Sequence, residues 1–327
     1  MKHKLLHIST ASELSQFLNI LFYQLEEIIN YPFYKHHVIK KKRGGERELF
    51  VPAKTLKRLQ KRINYYLQHY YAEIKPDSVH GFTIKTDDKS VHCNIVENAK
   101  PHVGKKYILN IDLKDFFPDI SAFRVKQLFT SSLFNYNEHI ATALTLLTTY
   151  QGMLPTGAPT SPVISNFLCF QLDADLKAFC EICNELIYTR YADDLTFSSD
   201  SLISNQTIAE IISVIEKNNF QVNTKKMRLK SFSQKQTVTG LIVNEKVNVD
   251  RKFLKKTRAM LHDAILNGID SATRKHFKLK KMSSDKQRQF FLFRLEGYIN
   301  FIGQVRGKSD LIYLRFKEKL DNKSLHL

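Results

Sequence analysis

An α+β fold follows from the way apolar residues are spaced along this chain. Three observations predict it: short β-type runs, longer stripes at helical spacing, and no regular βα alternation between them. The clearest β signal is at 186–190 and 195–198, two runs that flank Tyr191-Ala192-Asp193-Asp194 as strands flank a hairpin tip. With 327 residues, 43% of them hydrophobic, the chain is long enough for two or three subdomains.

Each element has its own signal. Residues 10–30 read as one amphipathic helix: Thr10 and Glu13 make a capping-box pair, and Leu14, Phe17, Leu18, Leu21, Phe22 and Leu25 share a face. Residues 36–43 and 46–51 flank Gly44-Gly45 as a hairpin that Pro52 ends. A stripe of Leu56, Leu59, Ile63, Tyr66 and Leu67 predicts a helix over 54–71. Residues 106–112 form a buried-looking strand ending on Asp112. Helices are expected over 121–149 and 160–183, the second headed by Pro159 and Pro162. After the Asp-Asp hairpin come a helix near 203–218 and strands at 220–222 and 238–243. Helical spacing then covers 251–267, up to Gly268, and 286–305.

The net charge is +18, and residues 251–327 hold 19 Lys/Arg against 7 Asp/Glu, a balance of +12. Charge concentrated in one segment suits a phosphate-bearing partner, most simply nucleic acid. Lys252, Lys255, Arg258 and His262 share one face of the 251–267 helix, opposite Leu254, Thr257, Leu261 and Ile265. The N-terminal residues lack the apolar core of a secretory signal, and no apolar run reaches membrane-spanning length. The expectation is a protein of a reducing cytoplasm with no membrane partner. Cys180 and Cys183 have zinc-like spacing without a second pair, so they read as two core thiols.

Adjacent carboxylates at a hairpin tip raise each other's pKa unless a cation neutralises them. Asp in turns is common, so the pair alone is ambiguous. Asp112 resolves it. A third carboxylate at the end of a neighbouring strand completes the donor set for two divalent ions and an in-line phosphoryl displacement.

Three blocks then carry a family resemblance. Asn110-Ile111-Asp112-Leu113-Lys114-Asp115-Phe116-Phe117, Leu154-Pro155-Thr156-Gly157-Ala158-Pro159-Thr160-Ser161-Pro162 and Arg190-Tyr191-Ala192-Asp193-Asp194-Leu195-Thr196 resemble reverse transcriptase motifs A, B and C, in that order. Asn223-Thr224-Lys225-Lys226 resembles motif D, and Arg47-Glu48-Leu49-Phe50-Val51-Pro52 and Val79-His80-Gly81-Phe82 resemble finger motifs. Asn98-Ala99-Lys100-Pro101-His102 and Val238-Thr239-Gly240 are similar to elements of bacterial retron reverse transcriptases.

The resemblance implies a right-hand polymerase with fingers at 1–104, a ferredoxin-like palm at 105–245 and a small helical thumb at 246–327. It implies RNA-directed DNA synthesis from dNTPs with two Mg²⁺ ions held by Asp112, Asp193, Asp194 and the carbonyl of Leu113. Phe117, five residues after Asp112, takes the position of a gate against the ribose 2′-OH, with core packing as its plain alternative. Arg47 would grip the triphosphate, assisted by Lys41, and Lys226 would sit near the leaving pyrophosphate. Gly157 would bring backbone close to the nucleotide. Thr156 stands where many relatives have Gln. Asn98 and His102 would meet RNA or else be satisfied core groups, and Thr239 and Gly240 would hold the primer. Retron type further implies a structured non-coding RNA as template and primer, a branched RNA–DNA product (msDNA), and antiviral defence with a separate effector protein. Two alternatives are another bacterial reverse transcriptase, diversity-generating or intron-derived, and an RNA-binding scaffold that restrains an effector.

Overall fold

The apolar stripes resolve into helices, several of them started by a side-chain cap from Thr10, Ser121, Asn137, Ser204 or Ser284. The computed structural model describes residues 5–40, 44–84, 93–183, 186–279 and 282–321. It divides into two compact units, one of residues 1–98 and 106–229, the other of 99–105 and 230–327.

In the first unit, α1 (Ala11–Leu18) begins with the Thr10–Glu13 capping box and ends at Asn19, whose φ is 52°. That left-handed cap splits the single helix expected over 10–30, and α2 (Phe22–Asn30) follows. Strands β1 (Tyr34–Lys40) and β2 (Glu46–Pro52) pair antiparallel as the glycine turn predicts. Helix α3 (Lys54–Ile74) buries Leu56, Leu59, Ile63, Leu67 and Tyr71, so its sequence stripe is its core face. A short helix α4 (Ile95–Ala99) leads to β3 (Tyr107–Asp112).

The stretch expected as one helix over 121–149 is two, α5 (Ala122–Thr130) and α6 (Glu138–Thr148). Ser131 leaves helical geometry, and Asn137 caps α6 by accepting from the Ile140 N–H at 3.0 Å. The next stretch is also two helices, α7 (Ser161–Leu168) and α8 (Phe170–Ile182), meeting at Cys169. Strands β4 (Ile187–Tyr191) and β5 (Asp194–Ser199) make the expected hairpin, and α9 (Asn205–Lys217) is capped by Ser204. Residues 220–222 contribute only a bridge from Val222 to Leu113, not a strand. The fourth strand of the sheet is β6 (Arg228–Ser231), and the order is β4-β5-β3-β6. Leu195, Phe197, Ile108 and Leu109 are fully buried in this sheet, which fixes its register through the core.

In the second unit, the strand expected over 238–243 is a tight hairpin of β7 (Thr237–Val238) and β8 (Leu241–Ile242). Helix α10 (Arg251–Phe277) continues past Gly268, where φ 75° and ψ 162° break helical geometry at the residue that the sequence marks as a stop. Its core face is Thr257, Met260, Leu261 and Ala264, whereas Ile265, expected there, is exposed. Helix α11 (Asp285–Arg306) starts with a Ser284–Gln287 capping box, and α12 (Leu311–Asp321) follows it. Cys180 is buried but Cys183 is exposed at the end of α8, so only one of that pair is a core thiol. No helix among the described residues is long and apolar enough to cross a membrane.

Candidate active site

Sheet register brings the acidic residues together. In the β3–β5 pairing Asp112 lies directly opposite Asp194, and in the β4–β5 hairpin Tyr191 does. Ala192 and Asp193 are therefore the two residues of the turn. Ala192 has φ 59°, and Asp193 does not share it, the φ pattern of a type II′ hairpin that normally takes glycine. The Leu113 N–H donates to the Asp193 carbonyl at 3.0 Å and the Asn223 N–H to the Asp112 carbonyl at 2.8 Å, which tie the three strand ends to the segment before β6.

The turn rests on a buried polar network. Arg190 donates from Nε to Asp173 Oδ1 at 2.8 Å and from Nη2 to Oδ2 at 2.6 Å, with both side chains wholly inaccessible. Its Nη1 donates to Asn166 Oδ1 at 3.0 Å and to the Ala192 carbonyl at 3.2 Å. The Tyr188 hydroxyl adds a bond to Asp173 Oδ1 at 2.8 Å. Asn166 in turn donates to the carbonyls of Gly81 and Phe82, at 3.0 and 3.3 Å. A Cβ on Gly81 would stand 2.3 Å from the Ala192 nitrogen, so only glycine lets this segment lie against the turn.

The carboxylates crowd one another. Burial pushes the Asp193 carboxyl upward, Asp112 adds to the rise, and Lys226 and Arg47 oppose it. Asp194 is pushed up to about 6, first by burial and then by Asp193 and Asp112. Asp194 also keeps exposed surface, so water screens part of that rise. Lys226 Nζ donates to both Asp112 oxygens, at 3.0 and 2.9 Å. Among the described residues no three His, Cys, Asp or Glu side chains stand in a metal-ligating cluster. Asp112 instead faces the ammonium of Lys226. The donor set, all carboxylate oxygen, is nonetheless of the kind that Mg²⁺ takes.

A cleft of about 480 Å³ opens over these groups, lined by Arg47, Phe50, Phe82, Asp112, Leu113, Phe116, Phe117, Thr156, Asp193, Asn223 and Lys226 among others. Arg47, Asp112, Leu113, Phe117, Asp193 and Lys226 thus line one cleft. Asp194 sits beside them by register. Gly157 has φ 117°, and a Cβ there would be 3.1 Å from the Phe50 carbonyl oxygen. Its positive φ and this close approach to β2 both favour glycine there. Thr156, not assigned a role from sequence, lines the cleft, and its carbonyl accepts from the Phe50 N–H at 2.8 Å. Lys41 lies outside the described residues.

The remaining expected residues are elsewhere. Asn98 and His102 are completely buried, and the Asn98 side-chain amide finds no hydrogen-bond partner among the described residues. Thr239 and Gly240 form the β7–β8 turn with φ 47° and 82°. Lys252, Lys255 and Arg258 are exposed on α10, opposite its buried face. Sequence reasoning missed Asp173, Asn166 and the structural part played by Arg190.

Strand-borne carboxylates opposite a hairpin tip are the arrangement of right-hand polymerases, and the fold belongs to that class. The telomerase of Candida albicans, solved with a fragment of telomeric RNA, superposes with a TM-score of 0.50 at 10% identity, covering 90% of this chain and 64% of that one. At such identity the likeness concerns fold alone. The family described as Reverse transcriptase (RNA-dependent DNA polymerase) matches residues 39–258. The Retron Ec86 reverse transcriptase of Escherichia coli is 32% identical over 295 residues, 89% of this chain and 82% of that protein. The Retron Mx65 reverse transcriptase of Myxococcus xanthus is 31% identical over 74% of this chain but only 59% of its own length. This chain belongs to the retron reverse transcriptases and is an RNA-directed DNA polymerase.

Proposed function

We propose that the protein copies a structured non-coding RNA, which also primes synthesis, into DNA that stays joined to it as a branched hybrid. The observation that carries the chemical part is the β3–β5 register, which sets Asp112 opposite Asp194 beside the tip residue Asp193. In this reading 1–104 act as fingers, 105–245 as palm and 246–327 as thumb. Two Mg²⁺ ions held by Asp112, Asp193, Asp194 and the Leu113 carbonyl would activate the attacking hydroxyl and neutralise charge on the leaving pyrophosphate. Lys226, which donates to both Asp112 oxygens, would serve the leaving pyrophosphate as a cation or proton donor. Arg47 reaches into the cleft from β2 to hold the triphosphate, and Phe117 turns its ring to the sugar.

The exposed Lys252, Lys255 and Arg258 track the RNA backbone, while Thr239 and Gly240 present a tight turn to the primer. Asn98 and His102, being enclosed, would act on RNA only through the residues that cover them. Family membership, rather than geometry, supports the branched product, cytoplasmic action and a defence role with a separate effector protein.

The test is purification from the native host with sequencing of the nucleic acid that comes along, beside an Asp193→Asn variant. Branched RNA–DNA with the wild type, and bound RNA without DNA in the variant, are expected. DNA synthesis surviving in the variant would refute the metal assignment; unbranched product would refute the retron mode of priming.

A further inference from the structure

Phe82 combines three unusual features. Its φ is 58°, a left-handed value that is a true outlier for a bulky side chain. Such strain persists where surroundings over-determine it, and it gathers at functional sites. Here the Phe82 carbonyl accepts from Gln68 Nε2 at 3.1 Å and from Asn166 Nδ2 at 3.3 Å, while Gly81 just before it is wedged against Ala192. The backbone is thus pinned from α3, from α7 and from the carboxylate-bearing turn.

The ring so placed does not go into the core. It stays half-buried and lines the cleft with Asp112 and Thr156. It stacks on Phe117, centroids 5.8 Å apart and planes at 29°. On its other contact Phe117 meets Phe116 at 5.4 Å, and Phe116 is a core residue that packs on Phe220. Phe117 therefore has one backing ring in the core and one at the cleft.

We propose that Phe82 is a specificity-determining positioning residue that holds the Phe117 ring against the sugar of the incoming nucleotide. The inference rests on reading Phe117 as the sugar gate. A flat ring rejects a ribose 2′-OH only if it cannot tilt away, and Phe82 occupies the space into which it would tilt. The strained backbone is what sets Phe82 at that place.

The experiment measures kcat/KM for dATP and for ATP on a DNA primer annealed to an RNA template, with the full-length protein. The variants are Phe82→Ala, Phe82→Leu, Phe82→Tyr, Phe117→Ala and the Phe82→Ala/Phe117→Ala double. Phe117→Ala should raise the ATP-to-dATP ratio. Phe82→Ala and Phe82→Leu should raise it too, by about 2- to 10-fold, the range that one aromatic pair controls. Phe82→Tyr, which keeps the ring, should hold the wild-type ratio. The double variant should not exceed Phe117→Ala, because backing is irrelevant once the gate is gone. If Phe82→Ala does not fold, Phe82→Leu reads the same quantity. A ratio unchanged in Phe82→Ala and Phe82→Leu while Phe117→Ala raises it overturns the inference. A double variant well beyond Phe117→Ala overturns it differently, by making Phe82 itself a sugar contact. A ratio unmoved in Phe117→Ala brings down the gate reading instead.

Discussion

Asp173→Asn is the substitution whose cost the structure makes easiest to work out. Asp173 accepts two charge-assisted bonds from Arg190 and one from Tyr188, and neither member of the ion pair has any accessible side-chain surface. Asparagine keeps the shape and one acceptor but leaves the guanidinium charge buried without a counter-charge. Breaking such a pair from one side costs about 3–5 kcal/mol. At about 2–4 °C per kcal/mol for a unit of this size, the melting temperature should fall by roughly 10 °C.

Far-UV circular dichroism is the suitable probe, because the chain has no tryptophan. Removing both charges, as Arg190→Met with Asp173→Leu, should recover about half of the lost stability, since no lone charge then remains buried. Primer extension should not recover with it. The Ala192 carbonyl has lost its guanidinium donor, and the turn that carries Asp193 is no longer held. Stability and activity thus separate in the double variant. Asp173→Asn costing under about 1 kcal/mol, or a double variant extending primers at the wild-type rate, would refute the idea that this network supports the turn.

Three further outcomes are expected. Gly81→Ala puts a methyl 2.3 Å from the Ala192 nitrogen, a backbone atom that cannot yield cheaply. A shift of about 1 Å at reacting groups costs about 100-fold, so single-turnover extension should collapse with RNA binding unchanged; a near-normal rate would mean the segment moves instead. Neutralising Lys252, Lys255 and Arg258 should lower the slope of log affinity against log salt by about 2 units, at about 0.7–0.9 per phosphate contact, and an unchanged slope places that face in solvent. The last concerns pH without metal. Asp194 has a folded pKa raised from 3.8 to about 6, so its contribution to stability is lost as pH rises through that window, and Asp193 shifts the same way. His80, lowered to about 4 by burial, works oppositely, since stability grows as its unfolded form loses a proton. The measurement is therefore a difference. Wild type in EDTA should lose melting temperature relative to Asp193→Asn/Asp194→Asn between about pH 4 and pH 6, and Mg²⁺ should cancel the loss. Parallel curves in EDTA would mean that neither burial nor mutual repulsion raises these carboxyls.

How much of this was legible in the sequence depends on whether the cause is local. The hairpin that carries Asp193 and Asp194 is written in two short apolar runs around a turn, and Asp112 ends a third run. Strands that buried have a single register, so the meeting of Asp112 with Asp194 follows once they pair. Helix ends are local as well. Asn19 is a residue type that takes left-handed caps readily, and Ser131 and Asn137 are the end and cap residues on either side of the second break. The hydrophobic period runs through that break because Phe134 and Tyr136 of the connecting loop are themselves buried. The short strand β6 carries Arg228 and Lys230 among few apolar residues, so pattern alone does not reveal it.

The support beneath the turn is of another kind. Asp173 sits in the first turn of α8 with Asp175 close by, and in one dimension it is an ordinary acidic residue at a helix N-terminus. Only when α8 packs under β4 does Arg190 reach it, and only then does its charge become buried and expensive to disturb. The same holds for Phe82, whose motif marks a finger segment but whose left-handed backbone is imposed by Gln68 and Asn166 from two helices. Carboxylates that act on a substrate must face solvent from strand ends, where a short motif suffices to place them. The groups that hold them still must be enclosed, and enclosure is a property of the packed chain.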